Sequence, residues 1–389
     1  MLMPPPPIYL DHAATTPVRD EVFEAMRPFF TTRFGNPSST HRWGREARAA
    51  LDEARERVAH CLGARTDEIC FTSGGTEGDN LAILGVWRAM REKGRKSVVA
   101  SPIEHKAVLG AMHQAVREGA EGRLLDVSCD GCVTTESFDA MVDNSVAVCS
   151  VMWVNNEVGT IQPVPIFAEK AHDRGVVMHT DAVQALGKVE IDAGEQQFDL
   201  LSISGHKIGA PKGVGAIFIR RGTPLQPLMH GGTQDRGRRP GTENLASVIG
   251  LALAVELAVK EREAECNRLA ALRERLEAAI LENVPDAVIH GRNALRAPHV
   301  LNVSVPGTDS ESLLMALDLR GIAASGGSAC QSGSISPSHV LVAMGVHPEL
   351  AGAAIRFSLG PLTTEESVTR VAEVLPMLVR KARQFSPAV

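Results

Sequence analysis

Short apolar runs that alternate with amphipathic helical stripes constrain this chain more than any other feature of its sequence. Ile69-Cys70-Phe71, Val98-Val99-Ala100, residues 147–154, Val176-Val177-Met178, residues 200–203 and residues 215–219 read as strands. Helical patterns recur among them. Over residues 46–62, Ala47, Ala50, Leu51, Ala54, Val58 and Leu62 share one stripe that Gly63 ends. Strands alternating with helices specify βαβ units and a mostly parallel sheet. From about residue 258 the pattern changes. Cys266, Leu269, Leu272, Leu276, Ala279 and Ile280 mark a long bridging helix. It leads to strands around 300–305 and 353–359 and to helices from Glu311 and Glu365, the last with Pro376 inside it. That proline predicts a kink or a break.

Composition narrows the function. A length of 389 residues fits two or three domains, at roughly 150 residues each. Lys plus Arg total 40 against 46 Asp plus Glu, a net charge of −6, which supplies no field for gripping nucleic acid or anionic lipid directly. Seven scattered cysteines are no secreted disulfide framework and point to a reducing cytoplasm. The proline-rich start, Met3 to Pro7, has no basic and apolar signal segment. The most apolar stretch, 248–259, is interrupted by Glu256 and falls short of the about 20 residues a bilayer requires.

The residues just beyond each strand carry the chemistry. In an open parallel sheet, ligands bind beyond the carboxyl ends of the strands. There the sequence places Thr72-Ser73-Gly74-Gly75-Thr76-Glu77, Asn155-Asn156-Glu157, His179-Thr180-Asp181-Ala182-Val183-Gln184 and Ser204-Gly205-His206-Lys207. A glycine turn entering a helix leaves backbone N–H groups for an anion, although a plain tight turn capped by Thr76 has the same pattern. Neither GxGxxG nor a P-loop is present. Lys207, between apolar strands, is placed for partial desolvation, which favours the free amine and Schiff-base chemistry. Asp181 alone reads equally as the cap of a helix from Ala182. Together, an anion turn, a lysine and a carboxylate meet the needs of pyridoxal 5'-phosphate: phosphate, Schiff base and pyridinium nitrogen.

The chain at this point resembles the group I cysteine desulfurases among fold-type I pyridoxal-phosphate enzymes. The matching stretches run in order from residue 9 to about 360. They include Tyr9-Leu10-Asp11-His12-Ala13-Ala14-Thr15-Thr16-Pro17, Phe34-Gly35-Asn36-Pro37-Ser38-Ser39, Glu104-His105-Lys106, Val154-Asn155-Asn156-Glu157, Arg239-Pro240-Gly241-Thr242-Glu243-Asn244, Gly327-Ser328-Ala329-Cys330 and Ile355-Arg356-Phe357-Ser358. The resemblance implies an α/β fold with a large cofactor domain, 15–258, and a smaller α+β domain from 1–14 and 259–389. It implies that Lys207 carries the cofactor, Asp181 pairs with the ring nitrogen, Gln184 bonds the ring oxygen and His105 stacks on the ring. Gly75, Thr76, Ser204 and His206 would bind the phosphate. Thr242 would reach that phosphate from a second subunit, making the enzyme a homodimer. Asn156 and Arg356 would hold the substrate carboxylate.

By the same resemblance Cys330 is the nucleophile. It would take sulfur from L-cysteine as a persulfide, release alanine and pass sulfur to a protein acceptor in iron–sulfur cluster assembly or thiolation. Cys61, Cys70, Cys149 and Cys266 read as packing residues, and Cys129-Asp130-Gly131-Cys132 reads as a turn rather than a metal or redox site. Rival activities with the same cofactor are selenocysteine lyase, aminotransferase and a kynureninase-like hydrolase; a non-catalytic sulfur-relay adaptor is a rival of another class. Gly75, Gly78, Gly326 and Gln331 depart from the usual family residues. With Val389 soon after the last helical pattern, the extension that docks a scaffold protein in some relatives is not expected, which leaves the acceptor open.

Overall fold

The computed structural model describes residues 6–326 and 337–385. Its strands are β1 (Ile8–Tyr9), β2 (Ile69–Thr72), β3 (Ser97–Ala100), β4 (Glu121–Leu124), β5 (Val146–Ser150), β6 (Val177–Asp181), β7 (Leu200–Ser204), β8 (Gly215–Ile219), β9 (Val288–Ile289), β10 (Val300–Ser304), β11 (Ile322–Ala323), β12 (Ser325–Gly326) and β13 (Ala354–Ser358). β2 to β8 make one sheet in the order β2-β8-β7-β6-β5-β3-β4. β8 runs antiparallel to both its neighbours, and every other pairing is parallel. The short link from Ser204 to Gly215 explains the exception, since a parallel return needs a longer crossover. The carboxyl ends of β2, β3, β5, β6 and β7 therefore share one edge.

Alternation along the strands sends neighbouring residues to opposite faces. Cys70, Val98, Ala100, Leu200 and Ile217 pack on one face with the helices Gly75–Arg91 and Lys106–Arg117. Phe71, Val99, Leu201, Ala216 and Phe218 pack on the other with Arg42–Cys61 and Leu245–Lys260. Both faces are covered, as a parallel sheet requires. A separate apolar cluster joins Ile8 and Leu10 to Leu269, Leu276, Val303, Phe357 and Leu375. It lies around a second, antiparallel sheet in the order β12-β13-β10-β9 and the parallel β1–β11 pair.

Three details differ from the sequence reading. β5 stops at Ser150 rather than at residue 154: its neighbour β3 ends at Ala100, and the Met152 N–H turns to the Glu104 carboxylate at 2.6 Å. No helix starts at Ala182; Asp181 is the last residue of β6 and accepts from the Val183 N–H at 2.9 Å. The helix Glu365–Phe385 runs undivided through Pro376, held down by buried Val368, Val371, Leu375, Leu378 and Val379. Packing here outweighs the lost hydrogen bond.

Gly78 sets how closely the helix Gly75–Arg91 lies on β7, because a Cβ there would stand 2.9 Å from Ser202 Oγ and 3.2 Å from Ser202 Cβ. Overpacking a well-filled core costs about 1–3 kcal/mol. Gly78→Ala is expected to lose that much stability, read as a lower denaturation midpoint at unchanged slope in urea.

Candidate active site

Ten of the sequence-predicted residues, Gly75, Thr76, His105, Asn156, Asp181, Gln184, Ser204, His206, Lys207 and Arg356, line one cavity of about 340 Å³ at the shared carboxyl edge of the sheet. Lys207 sits just beyond β7, in the turn Gly205–Lys207, and its Nζ donates to the Ala13 and Ala14 carbonyls, each at 2.6 Å. The N-terminal motif thus holds the lysine in place. His206 Nδ1 lies 3.2 Å from Thr15 Oγ1 in the same strip, and burial, with Lys207 and Lys212 adding to it, pushes its ring down to about 4.

At one end of the cavity β2 passes through Gly74 into a helix. Gly74 has φ 154°, a conformation open to glycine alone, and it turns the chain so that the helix starts at Gly75 against the cavity. The Ser73 N–H is taken by Glu77 Oε2 at 2.8 Å, and Gly75 and Thr76, whose first-turn N–H groups have no partner within the helix, line the cavity with Ser204 and His206. A Cβ on Gly75 would stand 2.7 Å from Val183 Cγ2, so the glycine matches this chain's valine. This end is an anion cradle.

Beneath the other end the site is unusually acidic. Asp181 is 4% exposed, Asp79 1% and Glu104 0%. Burial first, then the neighbouring Asp181 charge, holds Asp79 well above the ordinary carboxyl value; burial pushes Glu104 up to about 8. Burial raises Asp181 as well, while His105 and Lys207 pull it the other way. His179 sits among them as a neutral ring that burial pushes down to about 3: it meets Ser150 Oγ at 2.8 Å and Ser202 Oγ at 3.0 Å, with Asp79 at 3.6 Å. A cation at the inner end of the cavity would hold Asp181 ionised, which is what a protonated pyridine nitrogen supplies. Together with the anion cradle and Lys207, this donor set fits pyridoxal phosphate.

His105 caps the helix Lys106–Arg117, its Nδ1 accepting from the Ala107 N–H at 3.2 Å. With Nδ1 accepting that bond, Nε2 is the ring's remaining donor position, and His105 lines the cavity. Gln184 is held at both ends, donating to the Ala13 carbonyl at 2.9 Å and accepting from His299 Nε2 at 3.0 Å. Arg356, 1% exposed in β13, donates to Asp11 Oδ1 at 2.8 Å and to the Asn156 carbonyl at 2.9 Å, and its buried Nε–H has no partner among the described residues. The anion that its buried position demands is thus partly supplied by Asp11, a residue that sequence reasoning had not singled out.

Asp79, Glu157 and His339 also line the cavity and were missed. Asp79 follows the Thr72-to-Glu77 motif by two residues, and Glu157 ends the Asn155-Asn156-Glu157 motif without having been given a role; His339 stands in no pattern readable from sequence. Its Nε2 donates to the Glu104 carbonyl at 2.9 Å, and the adjacent Ser338 hydroxyl donates to Glu157. Thr242 is not brought to this cavity; it lines a separate one of about 160 Å³ with Ser73 and Asn244. Cys330 lies outside the described residues. Burial raises Cys61, Cys70, Cys149 and Cys266, in keeping with packing roles, and Cys129 to Cys132 form a turn closed by Ser128 N–H to the Cys132 carbonyl at 2.8 Å.

A mostly parallel sheet covered on both faces, with a lysine, a buried aspartate and an anion cradle at its carboxyl edge, defines a fold-type I pyridoxal-phosphate enzyme. Residues 8–371 match the class-V aminotransferase family. The chain is 45% identical over 380 residues to cysteine desulfurase IscS of Dictyoglomus turgidum, covering 98% of this chain and 96% of that one. It is 47% identical over 381 residues to cysteine desulfurase NifS of Azotobacter vinelandii, covering 98% and 94%. A solved NifS-like protein superposes with a TM-score of 0.90 at 36% identity, over 96% of this chain and 100% of that one. The chain belongs to the class-V aminotransferase family and, within it, is homologous to the cysteine desulfurases.

The buried acids make apo-protein stability depend on pH. Glu104 is raised from an ordinary 4.5 to about 8, so in this window the folded state keeps a proton that the unfolded state has lost. Stability is then full below the lower value and falls as pH rises, by about 1.4 kcal/mol per unit. Glu104→Gln removes that proton linkage. Urea unfolding of the apo-protein between pH 5 and pH 8 is expected to show a shallower decline in the variant than in the parent.

Proposed function

We propose that this protein is a cysteine desulfurase that takes sulfur from L-cysteine, releases L-alanine and holds the sulfur as a persulfide on Cys330. The observation that carries the reading is the convergence of Lys207, Asp181, His105 and Arg356 on one cavity whose wall includes His339, nine residues beyond Cys330 in sequence. When bound, pyridoxal phosphate supplies a reactive carbonyl and a sink for electrons from the substrate's α-carbon. Lys207 would anchor it and, once released, take the α-proton at Nζ. Asp181 would face its ring nitrogen and Gln184 its ring oxygen. Gly75, Thr76, Ser204 and His206 would cradle its phosphate, with Thr242 contributed by the second subunit of a homodimer.

Arg356 and Asn156 orient the substrate carboxylate, the arginine through the donors that Asp11 leaves open. His105 holds a transferable proton at Nε2 beside the reacting atoms. The Cys330 thiolate attacks the substrate sulfur: the S–S bond forms, the carbon–sulfur bond breaks, and its electron pair stays on the carbon, which is then protonated to alanine. The two-domain division, 15–258 against 1–14 with 259–389, is supported by the separate apolar clusters. We assign the cytoplasm as its compartment, supported by the six free thiols among the described residues. No helix of the described residues is long and apolar enough to cross a membrane. A protein acceptor, in cluster assembly or thiolation, is the fitting sulfur destination, since a net charge of −6 gives no direct grip on nucleic acid.

Two variants test this. Lys207→Ala is expected to lose the visible absorbance of lysine-bound cofactor. Cys330→Ala is expected to keep that absorbance while alanine release from L-cysteine falls on the order of 10³-fold or more. A Cys330→Ala enzyme that still desulfurates cysteine at the parental rate overturns the assignment.

A further inference from the structure

Behind the active-site cavity lies a second one of about 510 Å³, with Val183, Gln184 and Lys207 as a common wall. Its rim cations are already neutralised. Arg19 makes a two-pronged pair with Glu261 at 2.8 and 2.9 Å, and Arg268 a similar pair with Glu265, both contacts at 2.7 Å. The inner groups are not. His12 and His299 are each 4% exposed and line the cavity, yet both ring nitrogens of His12 and Nδ1 of His299 lack any hydrogen-bond partner among the described residues. Buried polar atoms are rarely left in that state without a ligand or ordered water.

The donor pattern can be worked out. Gln184 Nε2 donates to the Ala13 carbonyl, so Gln184 Oε1 accepts and His299 carries its proton on Nε2. His299 Nδ1 is then a bare lone pair on a residue that lines the second cavity. Lys188, half-buried in the same wall, has no carboxylate within 4.0 Å and no side-chain hydrogen bond among the described residues. Burial pushes the Lys188 ammonium down, and burial aided by Lys188 pushes His12 down to about 4. A negative charge placed between them would restore both.

We propose that the second cavity binds a small oxyanion that still carries a proton, of the hydrogen phosphate or bicarbonate type. Lys188 Nζ and the His12 N–H donate to its oxygens, and its own O–H donates to His299 Nδ1. Through His299 and Gln184 the bound anion touches the wall shared with the cofactor cavity. The site is separate from Asn156 and Arg356, the groups assigned to the substrate carboxylate.

Titration calorimetry of the holoenzyme with inorganic phosphate, and separately with bicarbonate, tests the proposal. The expected result is saturable binding that Lys188→Met weakens by about tenfold or more and Lys188→Arg partly restores. The anion-free cofactor absorbance and alanine release of Lys188→Met should stay at the parental level, which separates this outcome from failure of the desulfurase reading. If Lys188→Met does not fold, His12→Phe serves with the same expectation. Absence of saturable heat for both anions up to about 50 mM, well above the range of weak specific sites, overturns the proposal and leaves a water-filled cavity. Binding that Lys188→Met and His12→Phe leave unchanged overturns it equally.

Discussion

Burying Asp79, Glu104 and Asp181 under one cavity is the constraint around which the rest of this fold is arranged. Carboxyl groups leave water only when they are neutral, hydrogen-bonded or matched by a cation. Each solution is present. Glu104 accepts from the Met152 N–H and from the Ser150 hydroxyl, Asp181 accepts from the Val183 N–H, and His179 spans Ser150 and Ser202 beside Asp79. These groups come from the helix Gly75–Arg91, the turn before Lys106–Arg117 and the ends of β5, β6 and β7. The network therefore fixes those elements relative to one another and leaves Asp181 requiring a positive charge from above.

The second constraint is the tie between the two ends of the chain. Arg356 in β13 donates to Asp11, which follows β1, and to the Asn156 carbonyl beyond β5. Gln184 and Lys207 both donate to the Ala13 carbonyl. The N-terminal strip from Asp11 to Thr16 is thereby threaded between the large sheet and the antiparallel one. Its backbone carbonyls supply contacts that no side-chain motif encodes. Gln184, Lys207 and Arg356, three walls of the cavity, are all held by this strip.

Much of this was legible in advance because it obeys local rules. Ala47, Ala50, Leu51, Ala54 and Val58 are buried in the helix Arg42–Cys61, as their spacing predicts, and residues 215–219 form β8 as their apolar run predicts. Lys207 and Asp181 stood out because a lysine and a carboxylate after apolar runs are costly unless used. The errors share one cause. Where β5 ends, whether a helix follows Asp181 and whether Pro376 breaks a helix are decided by partners distant in sequence: Glu104, the Ser202 carbonyl that takes the Ala182 N–H, and the apolar cluster of the second sheet.

The sequence by itself determined the alternating strand–helix pattern, the carboxyl-edge position of the polar clusters and, through its motifs, the kinship with pyridoxal-phosphate enzymes. Periodicity and composition act over a few residues and are readable there. Only the tertiary structure decided that Asp11 holds Arg356, that His339 and Asp79 line the same cavity as Lys207, and that His12, Lys188 and His299 face a second one. Those pairings join residues far apart along the chain, and no local preference specifies them. They exist because packing two sheets around one threaded strip leaves each of these side chains a single place to go.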